Sequence, residues 1–297
     1  MSHKNKGTLV SAPTSCQLLL LAIITLWSAC DLINPEESLP AYLTIESFEF
    51  STSPEQGVNS SQITDAWVFV EGVSMGIFEL PATVPTLTLG NSKITVFPVI
   101  RENGVRSTPI IYPFYDRYEI DVELTAEQTI TIQPTTKYTD DAVFELVESF
   151  NSSNQRLNGG NPDAVEVEEG VGVVDLSDKE LVEFTSSATF IDLPTSGGFP
   201  VFLEFDYQTN VEFEVGLLGR DPNPVNPVNA TIYKVILCPI DRWNKVYINF
   251  QPELEASQLL GYRLAFRAST TDTGCGNVAT ANQKVLIDNV KFIRRGN

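Results

Sequence analysis

The chain has 297 residues, 42% of them hydrophobic, so it is long enough for one large or two medium domains with real cores. It carries 38 acidic against 19 basic residues, a formal net charge of −19. That balance argues against nucleic-acid partners, because phosphate binding needs clustered Lys and Arg. The single histidine is His3. A Ser-His-Asp or Cys-His arrangement and a His-ligated zinc are therefore excluded beyond the N-terminus, while carboxylate chemistry stays open.

Residues 18–31, LLLLAIITLWSACD, set the expected location. Lys4 and Lys6 precede about ten apolar residues, and Ser28 and Ala29 lead into Cys30. This is the layout of an export signal, and the run is about half of what a spanning helix needs. LWSAC resembles a bacterial lipobox, in which the cysteine becomes the lipidated first residue of the mature protein. Trp27 departs from the pattern, since Leu26 stands one place too early. The resemblance implies a signal over 1–29, a thioether at Cys30 and membrane lipid as the first partner. Beyond the signal the chain would carry 17 basic and 38 acidic residues, a net −21. Residues 30–40, with two prolines and two glutamates, read as a tether. Acidic residues soon after the cysteine resemble the surface-export signals of Bacteroidetes lipoproteins, which implies the outer membrane and exposure at the cell surface.

Residues 41–138 read as all-β. AYLTIESFEF is strand-like, and residues 65–81 hold two β-rich runs around Glu71-Gly72, a hairpin signal. A strand follows around Ile94 and Val96, and Asn103-Gly104 marks another turn. In YEIDVEL, Tyr118, Ile120, Val122 and Leu124 share one face. Ile130 and Ile132 add a last strand. Trp67 reads as core rather than as a ligand platform. The aromatic run YPFYDRY, 112–118, suits either an exposed glycan or protein contact or packing across the top of the sandwich. The run VFVEGVSMGIFELP resembles PEGA-type or related Ig-like surface modules, which implies a scaffold and no catalysis.

Residues 139–297 predict a second antiparallel sandwich, with strands near 181–193, 201–207, 211–217, 231–237, 245–250, 262–269 and 284–293. The only helical signal is PELEASQLL. FPVFLEFDYQTN, RWNKVYINF, YRLAFRAS and VLIDNVKFIR together resemble the jelly-roll, galactose-binding-like sandwich of many carbohydrate-binding modules. The fold class expected is thus all-β, an Ig-like sandwich and then a jelly roll. The two-part layout resembles uncharacterised Bacteroidetes surface lipoproteins. In such modules acidic residues of the first and last strands often hold a structural calcium, and the matching positions are Glu148 and Asp288. Two carboxylates with loop carbonyls would make an oxygen cage; the alternative is an exposed Glu148 and an Asp288 that caps a bulge. Cys238 and Cys275 either form a disulfide, as an exported chain permits, or are two small buried residues.

Alternation separates the faces of the central strands. Val246, Ile248 and Phe250 point to the core, leaving Trp243, Lys245, Tyr247 and Asn249 opposite. Glu204, Asp206, Glu212, Glu214, Arg263 and Arg267 point outward on their strands. If those strands share a sheet, Trp243, Tyr247, Arg263, Arg267, Glu204 and Asp206 make a face of rings and charges that suits a sugar. Three functions follow for test: a lipid-anchored, non-catalytic binder of polysaccharide; a structural or adhesive protein contacting other envelope proteins; and a carboxylate glycoside hydrolase. The last needs two carboxyl groups roughly 5–9 Å apart across a bond. No motif singles out such a pair, so the expectation is no enzyme.

Overall fold

The first set of strands is β1 (Ala41–Ile45), β2 (Glu49–Ser51), β3 (Asp65–Val70), β4 (Val73–Glu79), β5 (Ala82–Thr86), β6 (Gly90–Arg101), β7 (Pro109–Ile111), β8 (Tyr118–Leu124), β9 (Thr129–Ile132) and β10 (Thr135–Lys137). They belong to a computed structural model that describes residues 37–221 and 228–296, and for Val228 the backbone alone. The signal, Cys30 and most of the tether lie outside these residues, as does most of the proline-rich loop after Arg220.

One sheet runs β5-β1-β9, with β1 and β9 parallel. The facing sheet runs β4-β3-β6-β7, with β8 also on β6. Glu71 and Gly72 both take positive φ, as a tight hairpin between right-twisted strands requires. Leu43, Ile45, Ala66, Val68, Ile94 and Val96 fill the space between the sheets. The long expected strand over 41–50 breaks into β1 and β2. The strand β5, with Pro85 inside it, went unread because Pro weakens any strand signal; it is tolerated at this sheet edge.

Trp67 is a correction. Ala66, Val68 and Val70 face the core, so the period of two turns Trp67 and Phe69 outward. There Trp67 lies 5.5 Å from Phe69, and Phe69 lies 5.5 Å from Phe97. Its indole N–H donates to Ser74 Oγ at 2.7 Å.

The second set is β11 (Ala142–Glu148), β12 (Glu166–Glu168), β13 (Val171–Asp175), β14 (Leu181–Thr185), β15 (Phe190–Ile191), β16 (Val201–Thr209), β17 (Glu212–Asp221), β18 (Val228–Leu237), β19 (Ile240–Asn249), β20 (Gly261–Ser269) and β21 (Lys284–Arg295). One helix, α1 (Gln251–Ser257), follows β19. The β21 sheet runs β12-β13-β21-β16-β19, with β11 also on β21. The β20 sheet runs β14-β20-β17-β18, with β15 also on β20. Between them Phe184, Phe213 and Phe266 stack, and Phe205 meets Phe213 and Phe266 edge-on at 6.2 Å. Fully burying each such ring contributes about 1.5–3 kcal/mol of transfer free energy.

A third apolar cluster joins the two sandwiches. Tyr112, Phe114, Tyr115 and Tyr138 meet Phe202, Tyr247 and Ile293 from the outer face of the β21 sheet. Tyr112 is edge-on to Phe202 at 5.2 Å and 4.9 Å from Tyr247. The start of the aromatic run, Tyr112 to Tyr115, is thus packing against the second sandwich, while Tyr118 packs into the first. Residues 41–297 accordingly form one compact unit. Among the described residues no helix is long and apolar enough to cross a membrane.

Candidate functional site

The alternation along β16 and β19 holds, yet the outward face it defines is covered. Val201, Leu203 and Phe205 enter the core with Val246, Ile248 and Phe250. Glu204 and Tyr247 point the other way, against the first sandwich, and are 0% and 1% exposed. Tyr112 Oη donates to Glu204 Oε1 at 2.7 Å. Lys245 Nζ stands 3.3 Å from Glu204 Oε2 and 3.7 Å from Asp206 Oδ1. No hydrogen bond reaches that ammonium, so it is held as an ion pair alone. Gln62 clips onto β19 through side chains: its N–H donates to Tyr247 Oη at 2.9 Å, and its Oε1 accepts the Lys245 N–H at 2.7 Å. Ser60 Oγ donates to Asp206 Oδ1 at 2.7 Å.

The polar residues that looked solvated in the sequence are therefore an interface. A buried polar face is tolerated when its groups find partners. Burial, and next the charge of Glu204, push the Tyr112 and Tyr247 phenols well above their ordinary range. They remain protonated and able to donate.

The six residues expected to share a ligand face separate into three places. Tyr247, Glu204 and Asp206 lie under the first sandwich. Trp243, 46% exposed, sits near the start of β19 beyond the covered area. Arg263 and Arg267 stand on β20, in the opposite sheet.

The outer face of that β20 sheet is uncovered among the described residues. Glu183, Arg267 and Glu214 face one another across β14, β20 and β17. Arg267 Nε donates to Glu214 Oε1 at 2.8 Å, and its guanidinium lies 4.4 Å from the Tyr233 ring centroid. Tyr233 Oη donates to Glu183 Oε1 at 3.2 Å. Burial, with Glu183 second, pushes the Tyr233 phenol up to about 12. The hydrogen bond to Glu214 raises the Arg267 guanidinium further. Arg263 Nε donates to Thr189 Oγ1 at 2.9 Å. Sequence reasoning missed Tyr233 because a bulge between Val215 and Gly216 shifts the register on β18. A Cβ on Gly216 would stand 2.1 Å from Ile232 O, so glycine permits that approach.

The expected calcium ligands do not assemble. Glu148 is buried, and its two oxygens accept the N–H groups of Phe150 at 2.8 Å and Arg156 at 2.6 Å, closing the loop after β11. Asp288 pairs across the ladder with Asp206, and the Asn289 amide N–H₂ donates to both carboxylates. Among the described residues no three His, Cys, Asp or Glu side chains are placed to hold a metal. Cys238 and Cys275 are joined as a disulfide with Cα atoms 5.2 Å apart.

The outward carboxylates are each committed elsewhere. Glu212 is buried and accepts N–H groups of Thr273, Gly274 and Cys275 and the Thr273 hydroxyl, at 2.6–3.2 Å. Burial opposes its ionisation, but these bonds outweigh it and hold the carboxyl below the usual range. Glu214 serves Arg267, and Glu204 and Asp206 are under the first sandwich. None of the four stands free beside another as glycoside hydrolysis requires.

No protein-family model matches this chain, and no curated protein matches it. Solved structures similar to part of it include a family 29 carbohydrate-binding module, at a TM-score of 0.30 and 15% identity, covering 51% of this chain and 88% of that one. A mutant family 29 module complexed with mannohexaose scores 0.29 at 13% identity, covering 51% and 92%. The enzymatically active domain of bacteriophage CBA120 tailspike protein 4 scores 0.31 at 14% identity, covering 52% of this chain and 19% of that one. Likeness this distant carries no argument about ligand or activity.

Proposed function

We propose that this protein is a non-catalytic envelope protein, lipid-anchored through Cys30 at the outer membrane, that binds carbohydrate on the outer face of the β20 sheet. The observation that carries the reading is the row of Glu183, Arg267 and Tyr233 on that face, with Glu214, 6% exposed, paired to Arg267. A ring edge, two carboxylates and a guanidinium fork supply stacking surface and oriented hydrogen bonds for sugar hydroxyls. The other face of this sandwich is spent on the first one. The test is a glycan array probed with the protein, alongside Tyr233→Ala and Arg267→Ala. Selective retention that both substitutions abolish supports the reading; retention unchanged in folded variants discards this face. Mass spectrometry of the membrane fraction checks the anchor, and an unmodified Cys30 thiol removes it.

A second reading, an adhesive protein that contacts other envelope proteins, rests on a different surface. Trp67, Phe69 and Phe97 line the outer face of the first sandwich beside Ile77, which pairs with Trp67 and is 40% exposed. A pull-down from envelope extract that Trp67→Ala abolishes favours it.

A further inference from the structure

A cleft of about 370 Å³ opens where the two sandwiches meet, between the turn after β6 and the start of β19. Its size is that of a small-ligand site at a domain interface. Four cationic side chains line it, and their commitments differ. Lys245 is neutralised by Glu204 and Asp206. Arg101 donates to Asp65 Oδ1 at 2.7 Å and to Arg106 O at 2.6 Å, so it braces the first sandwich.

The remaining two are uncommitted. Arg242, from the second sandwich, makes no hydrogen bond or ion pair among the described residues. Arg106, from the first, has a side chain 88% exposed; among the described residues its one ion pair is 3.8 Å long, to an exposed Glu79. A pair of that kind contributes about 0–1 kcal/mol.

Gln62, Asn244 and Thr64 line the same cleft, as does Glu79. Gln62 Nε2 donates one hydrogen to Asn244 Oδ1 at 3.1 Å and keeps a second. Thr64 Oγ1 donates to Asp65 Oδ2 and keeps its lone pairs. On a chain of net charge −19, anions are repelled almost everywhere, so a cleft lined by two guanidinium forks, one of them only loosely paired to Glu79, marks an exception.

We infer that this cleft binds a saccharide residue bearing a carboxylate, a uronic acid. Arg106 and Arg242 hold the carboxylate, one from each sandwich, and Gln62, Asn244 and Thr64 meet the ring hydroxyls. The sugar class rests on the proposed carbohydrate function; the site itself is separate from the β20 sheet.

The test is calorimetric titration of the full-length protein in detergent micelles with trigalacturonate, and with the same trisaccharide after its carboxyls are reduced to alcohols. The expected result is binding of the charged form alone. Arg106→Ala and Arg242→Ala should each weaken it roughly tenfold or more, as loss of a hydrogen bond to a charged group does. Both arginines are exposed, so a melting curve confirms that the variants fold. Equal binding of charged and neutral forms, or charged binding that survives both arginine substitutions, overturns the inference. Neutral-glycan retention that Arg267→Ala abolishes, with no trigalacturonate binding, overturns the cleft and leaves the β20 face standing. The reverse pattern overturns the face and leaves the cleft.

Discussion

Replacing Asp288 with Asn should remove a pH dependence that the fold imposes on its own stability. Asp288 sits beside Asp206 on the paired strands β21 and β16. Burial is the main force that raises its carboxyl from near 3.8 to about 6, with the charges of Asp206 and Glu148 adding; the Asn289 N–H and Lys245 pull the other way. A carboxyl raised on folding takes up a proton that the unfolded chain has already released. Its contribution is therefore fully present below about pH 3.8 and is lost as pH rises through about 6. A displacement of about two pH units at roughly 1.36 kcal/mol each gives an upper bound of about 3 kcal/mol. The side chain is only half-buried, so solvent screening brings the expected effect to about 1–2 kcal/mol. Urea unfolding of both proteins at pH 4 and pH 7 reads it directly. Asp288→Asn should gain about 1–2 kcal/mol on the parent between the two pH values. Taking the difference cancels carboxylates such as Glu212, whose linkage runs in the opposite sense. A stability gap that is the same at both pH values would refute the reasoning.

Three further outcomes follow from the same interior. Tyr112→Phe removes the phenol that satisfies Glu204 across the sandwich interface, and should cost about 1–3 kcal/mol in urea unfolding. Lys291 donates to Val58 O at 2.9 Å and Tyr138 Oη at 3.2 Å, and burial lowers its ammonium to about 8. A lowered pKa stabilises fully above the unfolded value near 10.5, and that gain is lost as pH falls through about 8. Melting temperatures should accordingly show the parent gaining on Lys291→Met between pH 7.5 and pH 10. Finally, the disulfide closes 37 residues of sequence. Cys275→Ser should cost about 4 kcal/mol by the chain-entropy estimate, read by calorimetry against the oxidised parent.

Much of the fold could be read from alternation alone. YEIDVEL and NKVYINF each send their apolar residues inward as the period of two demands. The misreading of the ligand face has one cause: alternation tells two faces apart without saying what covers either. Tyr247 and Glu204 were correctly placed on the outer face, and the outer face proved to be a floor for another sandwich. Trp67 was taken for core on bulk hydrophobicity, although its own neighbours Ala66 and Val68 fixed it outside. Tyr233 escaped notice because a bulge is a backbone event that side-chain patterns do not record. The parallel pairing of β1 with β9 was equally hidden, because no local signal relates strands so far apart. Tyr112 and Tyr115 of YPFYDRY held the best clue to the interface, since there they bond Glu204 and Tyr247 from distant segments.

That shared aromatic seam has a practical consequence for anyone who would dissect the chain. Cut it in the linker after Tyr138, and each half keeps its own hydrophobic centre but bares a facet of tyrosine and phenylalanine, with Glu204 and Lys291 stripped of their phenol partners. Such fragments would be expected to clump, and a survey of excised modules would score the protein as insoluble when it is merely halved.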